Sequence, residues 1–183
     1  MLLIDVRIKN YKCILDSETF SIDQLTCLVG KNESGKSAIL QALYKLNPVD
    51  KEDTYDALYE YPKMYQTDFE AGLIEDGDTV VISHWKITAE EIEALETQFG
   101  TDFIGDSTVV TISNGYKNKR TWDFDANFHS LFEKKMEEFG FETSDRAQIP
   151  SYDSIGEVRA QLKSISTLSE AEQEFKKWFE VSF

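Results

Sequence analysis

The chain has 183 residues, 41% of them hydrophobic and twelve of them phenylalanine, enough for one large domain or one and a half small ones with a genuine core. Residues 1–48 hold six Lys/Arg against five Asp/Glu, and residues 49–183 hold thirteen against twenty-nine, so the net charge of −15 sits on an acidic body that argues against this chain alone gripping a nucleic-acid backbone. No apolar run reaches membrane-span length and Asp5, Arg7 and Lys9 interrupt any signal-peptide pattern. The two cysteines, Cys13 and Cys27, make no disulfide framework and are expected in the core, so the expected setting is reducing and cytoplasmic.

In chain order, Met1 to Lys9 alternates Ile4, Val6 and Ile8 with Asp5, Arg7 and Lys9, which predicts a half-buried strand. Ile14 to Ile22 reads as a second strand paired with it. Leu25 to Val29 is a short apolar run that reads as a buried strand. Ala38 to Leu46 predicts a helix, with Ile39, Leu40, Leu43 and Leu46 near helical spacing and Asn47-Pro48 as its end. Residues 49–70 are rich in Asp, Glu and Tyr without a period. They predict a loop or irregular excursion, with Tyr55, Leu58, Tyr59 and Tyr61 packing on the body.

Thr79 to Ile87 predicts a strand. Thr88-Ala89-Glu90-Glu91 forms a capping-box pattern opening an amphipathic helix with Ile92, Leu95 and Phe99. Val109 to Ile112, Asn114-Gly115 and Tyr116 to Phe124 predict a β-hairpin. The remainder reads as helical. Phe128, Leu131, Phe132, Met136 and Phe139 form a stripe closed by Gly140, and Ser154/Glu157 and Ser169/Glu172 cap two more helices.

Between the apolar run and the first helix stands Gly30-Lys31-Asn32-Glu33-Ser34-Gly35-Lys36-Ser37, which fits G-x-x-x-x-G-K-[ST], the phosphate-binding P-loop or Walker A pattern. Glycines at 30 and 35 permit backbone conformations a side chain forbids, so successive N–H groups can face phosphate oxygens. The helix start at Ala38 adds its positive dipole end. Lys36 is the point charge for the β- and γ-phosphates, and the Ser37 hydroxyl is placed for Mg2+ carried by the nucleotide.

A complete ATPase of this kind also needs an acidic Walker B residue after an apolar strand. Leu73-Ile74-Glu75-Asp76 is the nearest match, but Gly77 follows and a hairpin turn is the better reading. Asn118-Lys119 continues as Arg120-Thr121, so there is no guanine motif, and Asp102 to Gly105 matches D-x-x-G, a pattern too short to carry weight. His84 and His129 stand apart from ligand-spaced Cys, His or carboxylates, and no residue is assigned a catalytic role.

Ile8-Lys9-Asn10-Tyr11-Lys12 and Leu28-Val29-Gly30 through Leu43 resemble the opening and P-loop segments of SMC-like and OLD-family ABC-type ATPases, a group that includes RecF-like proteins. The likeness is close over residues 1–47 and architectural from about 78 to 125. It implies a mixed α/β P-loop NTPase fold: an ABC-ATPase-like N-terminal lobe over 1–125 with a mixed or antiparallel β-subdomain, then a helical portion over 126–183, the whole incomplete. It implies Lys12 near the nucleotide, with Asn10 and Tyr11 as weaker neighbours, and Gln148 as a metal-facing glutamine competing with a plain loop reading. Glu33 departs from the Asn or Gly common in its slot and should point outward. Leu168 to Gln173 has a faint likeness to the family's L-S-G-G-[EQ] signature but lacks both glycines, and capping explains it better.

The resemblance further implies ATP and Mg2+ as ligands. It implies a homodimer or a complex with the remaining ATPase parts, DNA contacted only through the full assembly, and work in DNA metabolism or anti-phage defence. Two alternatives stay open from the residues themselves: a small P-loop kinase, and a non-catalytic nucleotide-binding assembly module.

Overall fold

The computed structural model describes residues 1–74 and 78–182. Its elements in chain order are β1 (Leu2–Tyr11), β2 (Ile14–Ser21), α1 (Lys36–Tyr44), α2 (Ala57–Glu60), α3 (Gln66–Glu70), β3 (Thr79–Lys86), α4 (Ala89–Phe99), β4 (Val109–Gly115), β5 (Arg120–Phe124), α5 (Phe128–Glu138), α6 (Thr143–Arg146), α7 (Ile155–Ser164) and α8 (Glu170–Ser182). The chain forms two compact units. One joins Met1–Thr88 to Val109–Phe124, and the other joins Ala89–Thr108 to the chain from Asp125 onward. Residues 89–108 thus group with the helical part, because Leu95, Phe99, Phe103 and Ile104 pack into its core.

The alternation predicted at the N-terminus becomes β1, with Val6 and Ile8 fully buried and Asp5, Arg7 and Lys9 on the other face. The sheet order is β2-β1-β3-β4-β5, and every neighbouring pair is antiparallel. A bulge between Thr79 and Val81 turns both Val80 and Val81 into the same core. Ala38 and Ala42, one helical turn apart, let α1 approach that core closely, where Ile8, Tyr11, Ile14 and Tyr116 lie.

Leu25 to Val29 does not form the predicted strand. The segment carries no strand structure, and Leu25 and Val29 are 91% and 89% exposed. An apolar strand is stable only when a neighbour satisfies its backbone and covers its side chains, and among the described residues nothing pairs with this one. Leu40 and Tyr44, on the side of α1 away from the alanines, are exposed as well. Cys13 and Cys27 are both exposed, not in the core as expected.

The 49–70 excursion is more ordered than its sequence suggests. Asp56 caps α2 by accepting from the Leu58 N–H, and a short turn at Lys63–Tyr65 leads into α3. Tyr55 and Tyr61 pack inward as expected, but Leu58 and Tyr59 are 63% and 75% exposed, on the outer side of a four-residue helix. Of the Leu73-Ile74-Glu75-Asp76 match, Glu75, Asp76 and the following Gly77 lie outside the described residues.

The hairpin forms with Val110 opposite Phe124 and Asn114 opposite Arg120, but its turn is at Lys117-Asn118 and not at Asn114-Gly115. Both turn residues have positive φ, 58° and 56°, as a type I′ hairpin turn requires, and the Lys119 N–H closes it on Tyr116 O at 3.1 Å. Gly115 serves a different need. A Cβ there would stand 2.0 Å from the Asp78 carbonyl oxygen. Gly115→Ala must therefore push two backbones apart, and a loss of about 2–3 kcal/mol is expected in chemical denaturation. A loss below about 0.5 kcal/mol would show that the approach is not tight.

In the helical unit, Phe132, Met136, Phe175 and Val158 are fully buried. α5 ends as predicted: Gly140 takes φ 73°, its N–H reaches Glu137 O at 3.0 Å, and the Phe141 N–H reaches Met136 O at 2.9 Å. The Ser169/Glu172 box is complete, with Ser169 N–H donating to Glu172 Oε2 at 2.8 Å and Glu172 N–H to Ser169 Oγ at 3.2 Å. That geometry supports capping for Leu168 to Gln173. Ser154 caps α7 through the Glu157 N–H, while the Glu157 carboxylate accepts from the Ser151 hydroxyl. No described helix is long and apolar enough to cross a membrane.

Candidate functional site

α1 begins at Lys36 with Gly35 as its cap at φ 92°, no side-chain cap hydrogen bond and no acidic residue in its first turn. The leading N–H groups of a nine-residue helix therefore meet neither a capping oxygen nor a carboxylate. Such an end favours an anion. Gly35 is needed for its backbone, because its φ of 92° is left-handed; the space for a Cβ is ordinary, 3.4 Å from Cys13 Sγ and 3.5 Å from Ile14 Cγ1. A Cβ on Gly30 would meet Ser34 Oγ at 2.8 Å, so the loop closes tightly on itself.

The Lys36 ammonium lies inside that loop, donating to Gly30 O at 2.8 Å, Lys31 O at 2.6 Å and Ser34 Oγ at 3.3 Å. These are carbonyl and hydroxyl partners with no formal charge, so phosphate oxygens can compete for the same ammonium. Beside it is a cavity of about 490 Å³. Asn32, Glu33, Gly35, Lys36, Ser37, Ala38 and Gln41 of the loop and α1 line it together with Lys12 and Cys13 of the β1–β2 turn. Glu33 has φ 66° and an exposed side chain.

Of the opening tripeptide, only Lys12 reaches this cavity. Tyr11 is fully buried, with its ring 6.0 Å from Tyr55. Asn10 turns the other way: its side chain donates to Thr79 O at 3.5 Å and its carbonyl accepts from the Tyr116 hydroxyl at 2.6 Å. Gln148 is exposed on the turn after α6, in the helical unit. Cys13, expected in the core, and Gln41 line the cavity without having been site candidates in the sequence. Gln41 lies one turn beyond Ser37 on α1, a spacing that puts it on the same helix face. Among the described residues there is no cluster of three or more metal-binding side chains.

Behind Lys12 sits a buried polar hub. Glu60 is 8% exposed and takes the Tyr11 hydroxyl at 2.8 Å, the Asp56 N–H at 3.0 Å and the Lys45 ammonium at 2.9 Å. Burial by itself pushes the Glu60 carboxyl up; the Asp56 N–H, Lys45 and Tyr11 together outweigh it and hold the carboxyl below the usual range. Burial also acts to lower Lys45, and its contacts with Glu60 and Asp53 reverse that, leaving it raised. Tyr11 is pushed up by burial and by the Glu60 hydrogen bond. Glu60 is thus an anion at neutral pH with a matched cation, the arrangement in which a buried carboxylate is tolerated.

The residues present suit Mg-ATP: a cation aimed into a glycine loop, an uncapped helix start, a hydroxyl in its first turn and a second ammonium lining the same cavity. No curated protein matches the chain. A family model of the AAA ATPase domain matches residues 1–181, nearly the whole chain, and the protein therefore belongs to that family of ATP-binding ATPase domains.

Proposed function

We propose that this chain is the nucleotide-binding N-terminal portion of an SMC- or OLD-like ABC-type ATPase. Gly30 to Ser37 wraps the phosphates, Lys36 neutralises the β- and γ-phosphates, and Ser37 Oγ meets the nucleotide's Mg2+. Lys12 lines the same cavity and adds a second ammonium. Walker B and signature residues come from another segment or a partner chain, and the complete ATPase serves DNA metabolism or anti-phage defence. The observation that carries this reading is the exposed apolar surface beside the loop. Leu25, Val29, Leu40 and Tyr44, all at least 46% exposed, flank the loop on both sides in sequence. An uncovered apolar strand sequence and helix face at a nucleotide loop support a site completed by further protein.

The all-antiparallel sheet weighs against the small-kinase alternative, whose strands run parallel in βαβ units. The test is titration of the purified chain with Mg-ATP alongside steady-state phosphate release. Saturable binding with little or no turnover is expected. Steady hydrolysis by the chain as a monomer would falsify the incomplete-site reading.

A further inference from the structure

We propose that Glu60 is a positioning residue for this site, fixing the turn that carries Lys12 so that the Lys12 ammonium faces the P-loop. The inference rests on the reading of the cavity as an Mg-ATP site. Glu60 does not itself line the cavity.

The β1–β2 turn is in an unusual state. Asn10 and Lys12 have φ 52° and 53°, a left-handed conformation that asparagine tolerates but that lysine avoids unless its surroundings impose it. Three contacts impose it here. The Lys12 N–H donates to Glu60 O at 2.6 Å, the Tyr11 hydroxyl donates to Glu60 Oε1 at 2.8 Å, and the Tyr116 hydroxyl donates to Asn10 O at 2.6 Å. Two of the three end on Glu60.

Glu60 also fastens the other partner of the site. Lys45, the residue after α1, gives its ammonium to the Glu60 carboxylate at 2.9 Å and to Thr54 O at 2.8 Å. One buried residue thus ties the Lys12 turn and the far end of the loop-bearing helix together. The charge balance matters equally. With Lys45 against the carboxylate, the Lys12 ammonium stands off at 3.9 Å and rests on the neutral Gln41 Oε1 at 2.5 Å. A neutral amide oxygen yields to phosphate more readily than a carboxylate does. The same carboxylate that sets the turn therefore leaves the Lys12 charge available.

The test is a double-mutant cycle in the full chain, read by calorimetric titration with Mg-ATP. Glu60→Gln keeps the shape and removes the charge. It is expected to weaken binding about tenfold when Lys12 is present and less than about twofold in a Lys12→Ala background. A purely structural role predicts equal losses in both backgrounds, or a lower Tm with no change in affinity, and either result overturns the proposal. If Glu60→Gln does not fold, Tyr11→Phe removes only the hydroxyl on Oε1, and about threefold weakening that vanishes without Lys12 is expected. Equal weakening by Tyr11→Phe in both backgrounds overturns the proposal as well. A wild-type chain that does not bind Mg-ATP, or binds it as well after Lys36→Ala, overturns the nucleotide-site reading and this inference with it. Lys36-dependent binding without the Lys12–Glu60 coupling overturns only the inference.

Discussion

Lys36→Ala is expected to weaken Mg-ATP binding by about 100-fold or more, with the fold intact. Charge-assisted hydrogen bonds from one ammonium to phosphate contribute about 3 kcal/mol, and that corresponds to about two orders of magnitude in affinity. The substitution also removes the ammonium's bonds to the Gly30 and Lys31 carbonyls. Those oxygens lie on exposed residues and regain water, so the stability change should stay within about 1 kcal/mol. Lys36→Arg should fail nearly as badly, because a planar fork cannot take the place of a compact ammonium inside so tight a loop. Titration calorimetry with Mg-ATP and circular dichroism read the two effects separately. Binding within about threefold of wild type would sink the phosphate role of this lysine.

Phe175→Ala should cost the helical unit about 3–5 kcal/mol. Phe175 is fully buried, and its ring meets Phe141 at 5.3 Å, Trp178 at 5.4 Å, Phe139 at 6.2 Å, Phe132 at 6.3 Å and Phe179 at 6.4 Å between centroids. Truncation empties the middle of the cluster, and helices α5 and α8 hold its rings too rigidly to collapse into the space. Denaturant titration followed by Trp178 fluorescence, together with amide exchange in α5 and α8, measures the loss. A change below about 1 kcal/mol would mean that these rings are loosely packed.

Much of this architecture was legible because the signals are local. The alternation over Ile4, Val6 and Ile8, the Gly140 stop and the Ser169/Glu172 box each act within a few residues, and the structure has all three where they were expected. The Gly30 to Ser37 pattern is local in the same sense, and Gly35 takes the left-handed backbone expected of it, while Gly30 does not have a positive φ. The hairpin was legible as a pair of strands, but its turn was not. Asn114-Gly115 is the stronger turn signal in sequence, yet Gly115 is required by the Asp78 backbone passing across it. The actual turn includes Lys117, whose ammonium stands over the Phe69 ring at 5.3 Å and 3.7 Å from Asp78. Those contacts offset the strain of a left-handed lysine, and a local reading has no access to them.

The site divides along the same line. By itself the sequence determined the glycine loop, the lysine and hydroxyl that follow it, an ATP-binding ATPase domain, and Lys12 as a candidate neighbour, because each is a pattern of adjacent residues. Only the tertiary structure decided that Lys12 and not Asn10 faces the cavity, that Cys13 and Gln41 complete its wall, and that Glu60 is a buried anion behind it. It also decided that Leu25 to Val29 stays exposed, since an apolar run becomes a strand only where another strand pairs with it. The Tyr11–Glu60 bond spans 49 residues of chain. A carboxylate in an acidic stretch reads as solvated surface until folding brings a lysine, a tyrosine and a backbone N–H around it, and that convergence is a property of the fold alone.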